Sequence, residues 1–98
     1  MDSASVPAAS SDAQLARAWA AGDERAFAAI VDRHAGAIYN RCRMALGSAD
    51  ADDATQAVFL VLARRPQQAA DSPVLVGWLM AVAGNVVRNA WRDRRRRR

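Results

Sequence analysis

The chain has 98 residues, the size of one small domain near the lower edge for a self-sufficient core. Its 14 arginines and 10 acids give a formal charge of +4 that is unevenly spread: residues 1–87 balance at −2 and residues 88–98 at +6, so a polyanion at one end is indicated. Cys42 is the sole cysteine, which excludes an intramolecular disulfide framework and a thiolate metal cluster; no apolar stretch reaches the roughly 20 residues of a membrane span, and the N-terminus lacks the regions of a signal peptide.

In chain order, residues 1–10, "MDSASVPAAS", are small and polar and are expected to form a disordered leader. Ser11 or Asp12 caps a short first helix through Leu15 and Trp19 that stops at Gly22. Asp23 caps a longer second helix. Its Phe27, Ile30, Val31, Ile38, Cys42 and Leu46 recur at spacings of three, four and seven as one buried stripe, and Gly47 is placed as its stop. A third helix begins between Ser48 and Asp50, where acids in the first turn suit the helix dipole, and ends before Pro66. "PQQAADSP" reads as a loop. Ser72 as cap and Pro73 at the first position open a fourth helix that runs into the arginines. Alanine is abundant and alternating β-branched runs are scarce, which argues against a sheet. The expected fold is all-α, a compact bundle of about four helices over residues 11–93, with 94–98 as a basic tail.

The fourth helix sorts into two faces. Leu75, Trp78, Leu79, Val82 and Val86 are expected to point inward, whereas Asn85, Arg88, Asn89 and Arg92 follow i, i+3, i+4, i+7 on another side. Amides hydrogen-bond base edges, and guanidinium groups pair with phosphates and stack on bases. A solvated face explains any one of these residues; the set of four leading into an arginine run favours nucleic acid. Gly77 and Gly84 each cost a helix interior about 1 kcal/mol relative to alanine, and serve either close helix packing or the approach of a backbone or base. Trp19 and Trp78 are expected in the core. Trp91, among arginines, either stacks on a base or packs against the second helix.

No residue set points to catalysis or to a cofactor. Cys42 lies on the apolar stripe as a packed core cysteine, and His34, lacking a second ligand at metal spacing, is expected to be a partly exposed structural histidine. "DADD" at 50–53 lacks the alternating ligands and glycine of a calcium loop, and helix N-terminal acids account for it.

"DAQLARAWAAGDERAFAAIVDRHAGAIYNRCRMALG", "DADDATQAVFLVLARR" and "WLMAVAGNVVRNAWRDRRRRR", in that order and spacing, resemble region 2 of extracytoplasmic-function sigma factors, the dissociable promoter-recognition subunits of bacterial RNA polymerase. The resemblance covers residues 12–98. It implies an all-helical, non-enzymatic domain with two working surfaces. The third helix would dock on the β′ clamp coiled coil of core polymerase through Asp53, Gln56, Leu60 and Arg64, with Ala54, Val58, Phe59 and Leu62 facing the core. Ala57 and Val61 stand where the family commonly has charge, and Ala63 where it often has a large aromatic, which makes this surface more apolar. The second surface would take a base flipped from the −10 element of the non-template strand. Arg65, Gln67, Gln68 and Asp71 of the loop and Asn85 of the last helix would line it, Asp71 serving equally well as a helix cap. Arg88, Asn89 and Arg92 would hold the backbone, and Arg94 and Arg95, with the rest of the final run, would add salt-sensitive phosphate affinity. An anti-sigma factor is a further implied partner, and the implied location is the cytoplasm, at the nucleoid. The final arginines also mark where the family's linker toward its −35-reading domain starts, so the chain is expected to be a piece of a longer protein or a single-domain form. Two other readings compete: a helical module that binds only a regulatory partner, and a general polyanion binder acting through the arginine tail.

Overall fold

Three caps set the chain's course in the computed structural model, which describes residues 10–97. Ser11 precedes α1 (Asp12–Ala20) in extended backbone. Its hydroxyl accepts from the Gln14 N–H at 3.1 Å, and the Gln14 side-chain oxygen accepts from the Ser11 N–H at 2.7 Å, a reciprocal capping box. Asp23 caps α2 (Glu24–Leu46) by accepting from the Arg25 N–H at 3.0 Å. Gly47, at φ +86°, is at once the last cap of α2 and the first of α3 (Ser48–Arg64). Glycine takes this positive φ without the steric cost that Cβ would bring. Apart from Ser10, the expected leader lies outside the described residues, as does Arg98.

The chain departs from expectation after α3. Pro66 does end that helix, and it also occupies the first turn of a short helix, α4 (Pro66–Asp71), in the segment read as a loop. A proline ring cannot continue a helix, yet its fixed φ and missing N–H suit a first helical position. With α4 present, Ser72 is that helix's closing cap, its N–H bonded to the Ala69 carbonyl at 3.3 Å, and its hydroxyl donates to the Val74 carbonyl at 3.2 Å. The last helix, α5 (Leu75–Arg96), therefore starts at Leu75 and not at Pro73. Its N-cap is Val74, whose carbonyl accepts from the Trp78 N–H at 3.1 Å. It continues to Arg96, so Arg94, Arg95 and Arg96 are helical, as a helix running into the arginines requires. Among the described residues the architecture is all-α, with five helices and no strand, the expected bundle with the short α4 added.

α2 is the spine. It packs against α1, α3 and α5, with α4 bridging α1 and α5 at one end. Leu15, Ile30, Ile38, Val58, Leu62, Leu79 and Val87 are fully buried, and each large aliphatic side chain of this kind stabilises by about 1.5–3 kcal/mol when removed from water. On α5 the deepest line is Leu75, Leu79, Ala83 and Val87, while Trp78, Val82 and Val86 flank it half-buried. Small Ala83 sits within that line, between Leu79 and Val87. Trp19 is likewise half-buried: it stacks at a tilt on Phe27, with centroids 4.9 Å apart, and donates its indole N–H to the Leu62 carbonyl at 3.0 Å. Cys42 is fully buried, and burial pushes its thiol up more than Thr55 and Arg41 pull it down.

His34 corrects an expectation. It is only 8% exposed, because α1 covers it and brings Asp12 within 3.0 Å of its Nε2. Asp12 also accepts from Arg33 at 3.0 Å. Burial raises the Asp12 carboxyl, but the hydrogen bonds from His34 and Arg33, with their charges, outweigh it and hold the group below its ordinary 3.8. The folded value lies below the unfolded one, so this link stabilises above the carboxylate range and is lost as pH falls through it. In acid titrations followed by circular dichroism, Asp12→Asn is expected to be less stable than wild type at pH 7, and the gap is expected to narrow below about pH 4. Mid-helix Gly36 has open space where a Cβ would stand. Gly36→Ala is expected to raise unfolding free energy in urea by about 0.5–1 kcal/mol.

Candidate nucleic-acid interface

The polar stripe of α5 is exposed as its spacing requires: Asn85, Arg88, Asn89 and Arg92 all face solvent. Arg88 donates to the side-chain oxygen of Asn85, so these two form one unit, with the Asn85 amide NH2 left outward. Gly84 lies beneath them. A Cβ there would touch only the Arg88 guanidinium at 3.5 Å, an ordinary contact, so close helix packing does not explain this glycine. Gly77 is exposed and equally uncrowded.

The residues expected from the loop stand on α4 or at its start. Arg65 forms the single-residue corner between α3 and α4 and is exposed. Gln67, Gln68 and Asp71 are exposed on α4, and Gln67 donates to Asp71 at 2.8 Å across one turn. Asp71 is thus a partner within α4 and does not cap α5. Beside Gln67, a shallow cleft between α1 and α4 is lined by Arg17, Ala20, Ala21 and Ala70. Arg17 carried no signal in the sequence, since only the packing of α1 on α4 brings its charge next to Gln67.

The α3 face is assembled as the spacing demands. Asp53, Gln56, Leu60 and Arg64 are exposed along one side, and Ala54, Val58, Phe59 and Leu62 are buried on the other. Leu60 is 53% exposed and borders an apolar groove formed with Phe27, Val31, Ala35, Phe59 and Ala63. The small side chain of Ala63 helps keep that groove open. Between α3 and α5 lies a second, charged cleft, lined by Asp50, Asp53, Asn89, Asp93, Arg94 and Arg97. Asp53 and Asn89, assigned to different surfaces in the sequence, meet there.

The C-terminal arginines divide into two kinds. Arg94 is half-buried; its guanidinium donates to the Leu46 carbonyl at 2.7 Å and to Asp50, so it caps α2 and ties α5 to the α2–α3 corner. Arg95 is exposed and carries no ion pair among the described residues, and Arg92 is the same. Among the described residues no group of three or more His, Cys, Asp or Glu side chains is placed to hold a metal ion.

The profile of the Sigma-70 region 2 family matches residues 30–97, from the second turn of α2 to the end of the described chain. The chain belongs to the sigma-70 region 2 family. No curated protein and no solved structure is detectably similar to it. Region 2 is a domain of transcription initiation factors and not of enzymes. The matched segment leaves out α1, so the Asp12, Trp19 and Arg17 contacts lie outside what the family profile covers.

Within this region 2 the two kinds of arginine are separable by experiment. Arg94→Ala is expected to lower stability by about 1–2 kcal/mol through loss of a charged cap. Arg95→Ala is expected to leave the melting temperature unchanged and to flatten the dependence of log K on log salt for DNA by about 0.7–0.9.

Proposed function

We propose that the chain is the region 2 module of an extracytoplasmic-function sigma factor. The exposed face of α3 docks on the β′ clamp coiled coil of core RNA polymerase, and α4 with α5 takes the non-template strand of the promoter −10 element. One observation carries the reading: in a chain of this family, α5 presents Asn85, Arg88, Asn89 and Arg92 as one exposed stripe that continues into helical arginines.

The chemistry follows from those side chains. Unstacking a base costs a few kcal/mol, and amide groups recover that cost selectively through hydrogen bonds to the base edge. Asn85, Gln67 and Gln68 supply the amides. Arg88, Arg92 and Arg95, with Arg65 at the α3–α4 corner, bind phosphates and contribute affinity that falls with salt. On α3, Leu60 is the apolar anchor and Asp53, Gln56 and Arg64 are its polar surround, the composition a helix-on-helix interface needs. The groove beside Leu60 widens the apolar part, and an anti-sigma factor would compete for the same face. Among the described residues no helix is long and apolar enough to cross a membrane. The proposed role itself places the protein in the cytoplasm, at the nucleoid.

Titration against the isolated β′ clamp coiled coil tests the proposal better than DNA binding, because any chain ending in arginines binds DNA to some degree. Saturable binding is expected, weakened at least about tenfold in a variant combining Asp53→Ala, Gln56→Ala and Leu60→Ala. Absence of binding by the wild-type chain would move the reading to a partner-only or polyanion-binding module.

A further inference from the structure

We infer that Trp91 is a fixed stacking platform for one unpaired base, a site that rests on the proposal that α5 binds single-stranded promoter DNA. The indole N–H of Trp91 donates to the Ala45 carbonyl at 3.3 Å, in the last turn of α2, yet the residue remains 43% exposed. A core tryptophan would be covered, and an untethered surface one would sample several rotamers. Trp91 is neither. Its only polar atom is already satisfied, so the surface it offers is ring carbon, which cannot read a hydrogen-bond pattern but can stack on any base.

The surroundings select the partner. Arg88, three residues before, and Arg95, four residues after, share the Trp91 face of α5, and Arg92 is its neighbour. All three are exposed, and Arg92 and Arg95 form no ion pair with a described residue. An apolar protein surface docking here would strip water from unpaired cations, a costly step. A nucleic acid strand satisfies both halves, phosphates on the guanidinium groups and a base on the ring. The tether adds a second benefit. The last carbonyls of a helix carry its negative end and repel phosphate. Trp91 occupies the Ala45 carbonyl and Arg94 the Leu46 carbonyl, so this end of α2 is capped where a strand would pass.

Asn85 and Trp91 are six residues apart, about 9 Å along the axis and about 120° around it, so the two side chains contact different nucleotides.

The test uses a DNA single strand enriched by the full chain from a random pool, then remade with one abasic site at each position in turn. The expected result is two distinct sensitive positions, each losing roughly tenfold in affinity. Asn85→Ala abolishes the sensitivity at one, and Trp91→Leu abolishes it at the other. Trp91→Phe, which keeps a ring but no N–H, retains most of the second signal. Equal losses in the Phe and Leu variants, both folded by circular dichroism, would assign Trp91 to anchoring and overturn the inference. An Asn85-dependent position with no Trp91-dependent one would overturn it and leave the DNA reading standing. Failure of the pool to enrich any sequence would remove the DNA reading itself. Trp91-dependent binding to vesicles containing anionic phospholipid, with no abasic signal, would place the ring at a lipid surface instead.

Discussion

The corner at Gly47 governs the arrangement of everything after it. A single residue at positive φ turns the chain from α2 into α3 with no loop between them, so α3 must return along α2 and pack on it closely. That return sets Val58 and Leu62 against the spine and presents the Leu62 carbonyl to the Trp19 indole, which fixes α1. It also leaves the end of α2 with unpaired carbonyls, and α5 supplies Trp91 and Arg94 to meet them. The orientation of the α5 stripe thus traces back through two helix ends to one glycine.

Electrostatics in this chain works by segregation. Asp50, Asp52 and Asp53 crowd the start of α3, where the helix dipole favours them, and the basic end of α5 packs beside that turn. Asp50 takes one arginine, Arg94, into the fold. The acids therefore neutralise one side of the C-terminal helix and leave Arg88, Arg92 and Arg95 on the other to act on solvent. A body at −2 beside an end at +6 is the outcome of that division.

What the sequence revealed, and what it hid, follows from the range of the interactions. Ser11, Asp23 and Gly47 act through bonds to residues within four positions, so their roles were legible as residue types. The α3 face and the α5 stripe were legible because helical periodicity alone sorts exposed from buried. α4 was missed because six residues are too few to show a period, and Pro66 was read only as an end. His34 and Arg17 depend on where α1 lands, which no local pattern encodes. On α5 the weight given to large side chains pointed to Trp78, Val82 and Val86. Contact with α2 and α3 on either side made the apolar arc wide and put small Ala83 in its middle. Arg94 was indistinguishable from its neighbours as a residue type; its position over the end of α2 makes it a cap.

Gly47 joins α2 to α3, and Arg65 joins α3 to α4, each as the only residue between two helices. Such joints have no slack. One residue inserted at Gly47 would rotate α3 by about 100° around its axis and swing Phe59 toward water, and one inserted at Arg65 would turn α4 by the same amount. The turn at 21–23 is closed as well, since the N–H groups of Ala21, Gly22 and Asp23 are all bonded back into α1. Length change in this chain is therefore channelled to the segment at 72–74, where Pro73 and Val74 are exposed outside any helix, and the stretch from Asp12 to Asp71 should behave as one indivisible measure.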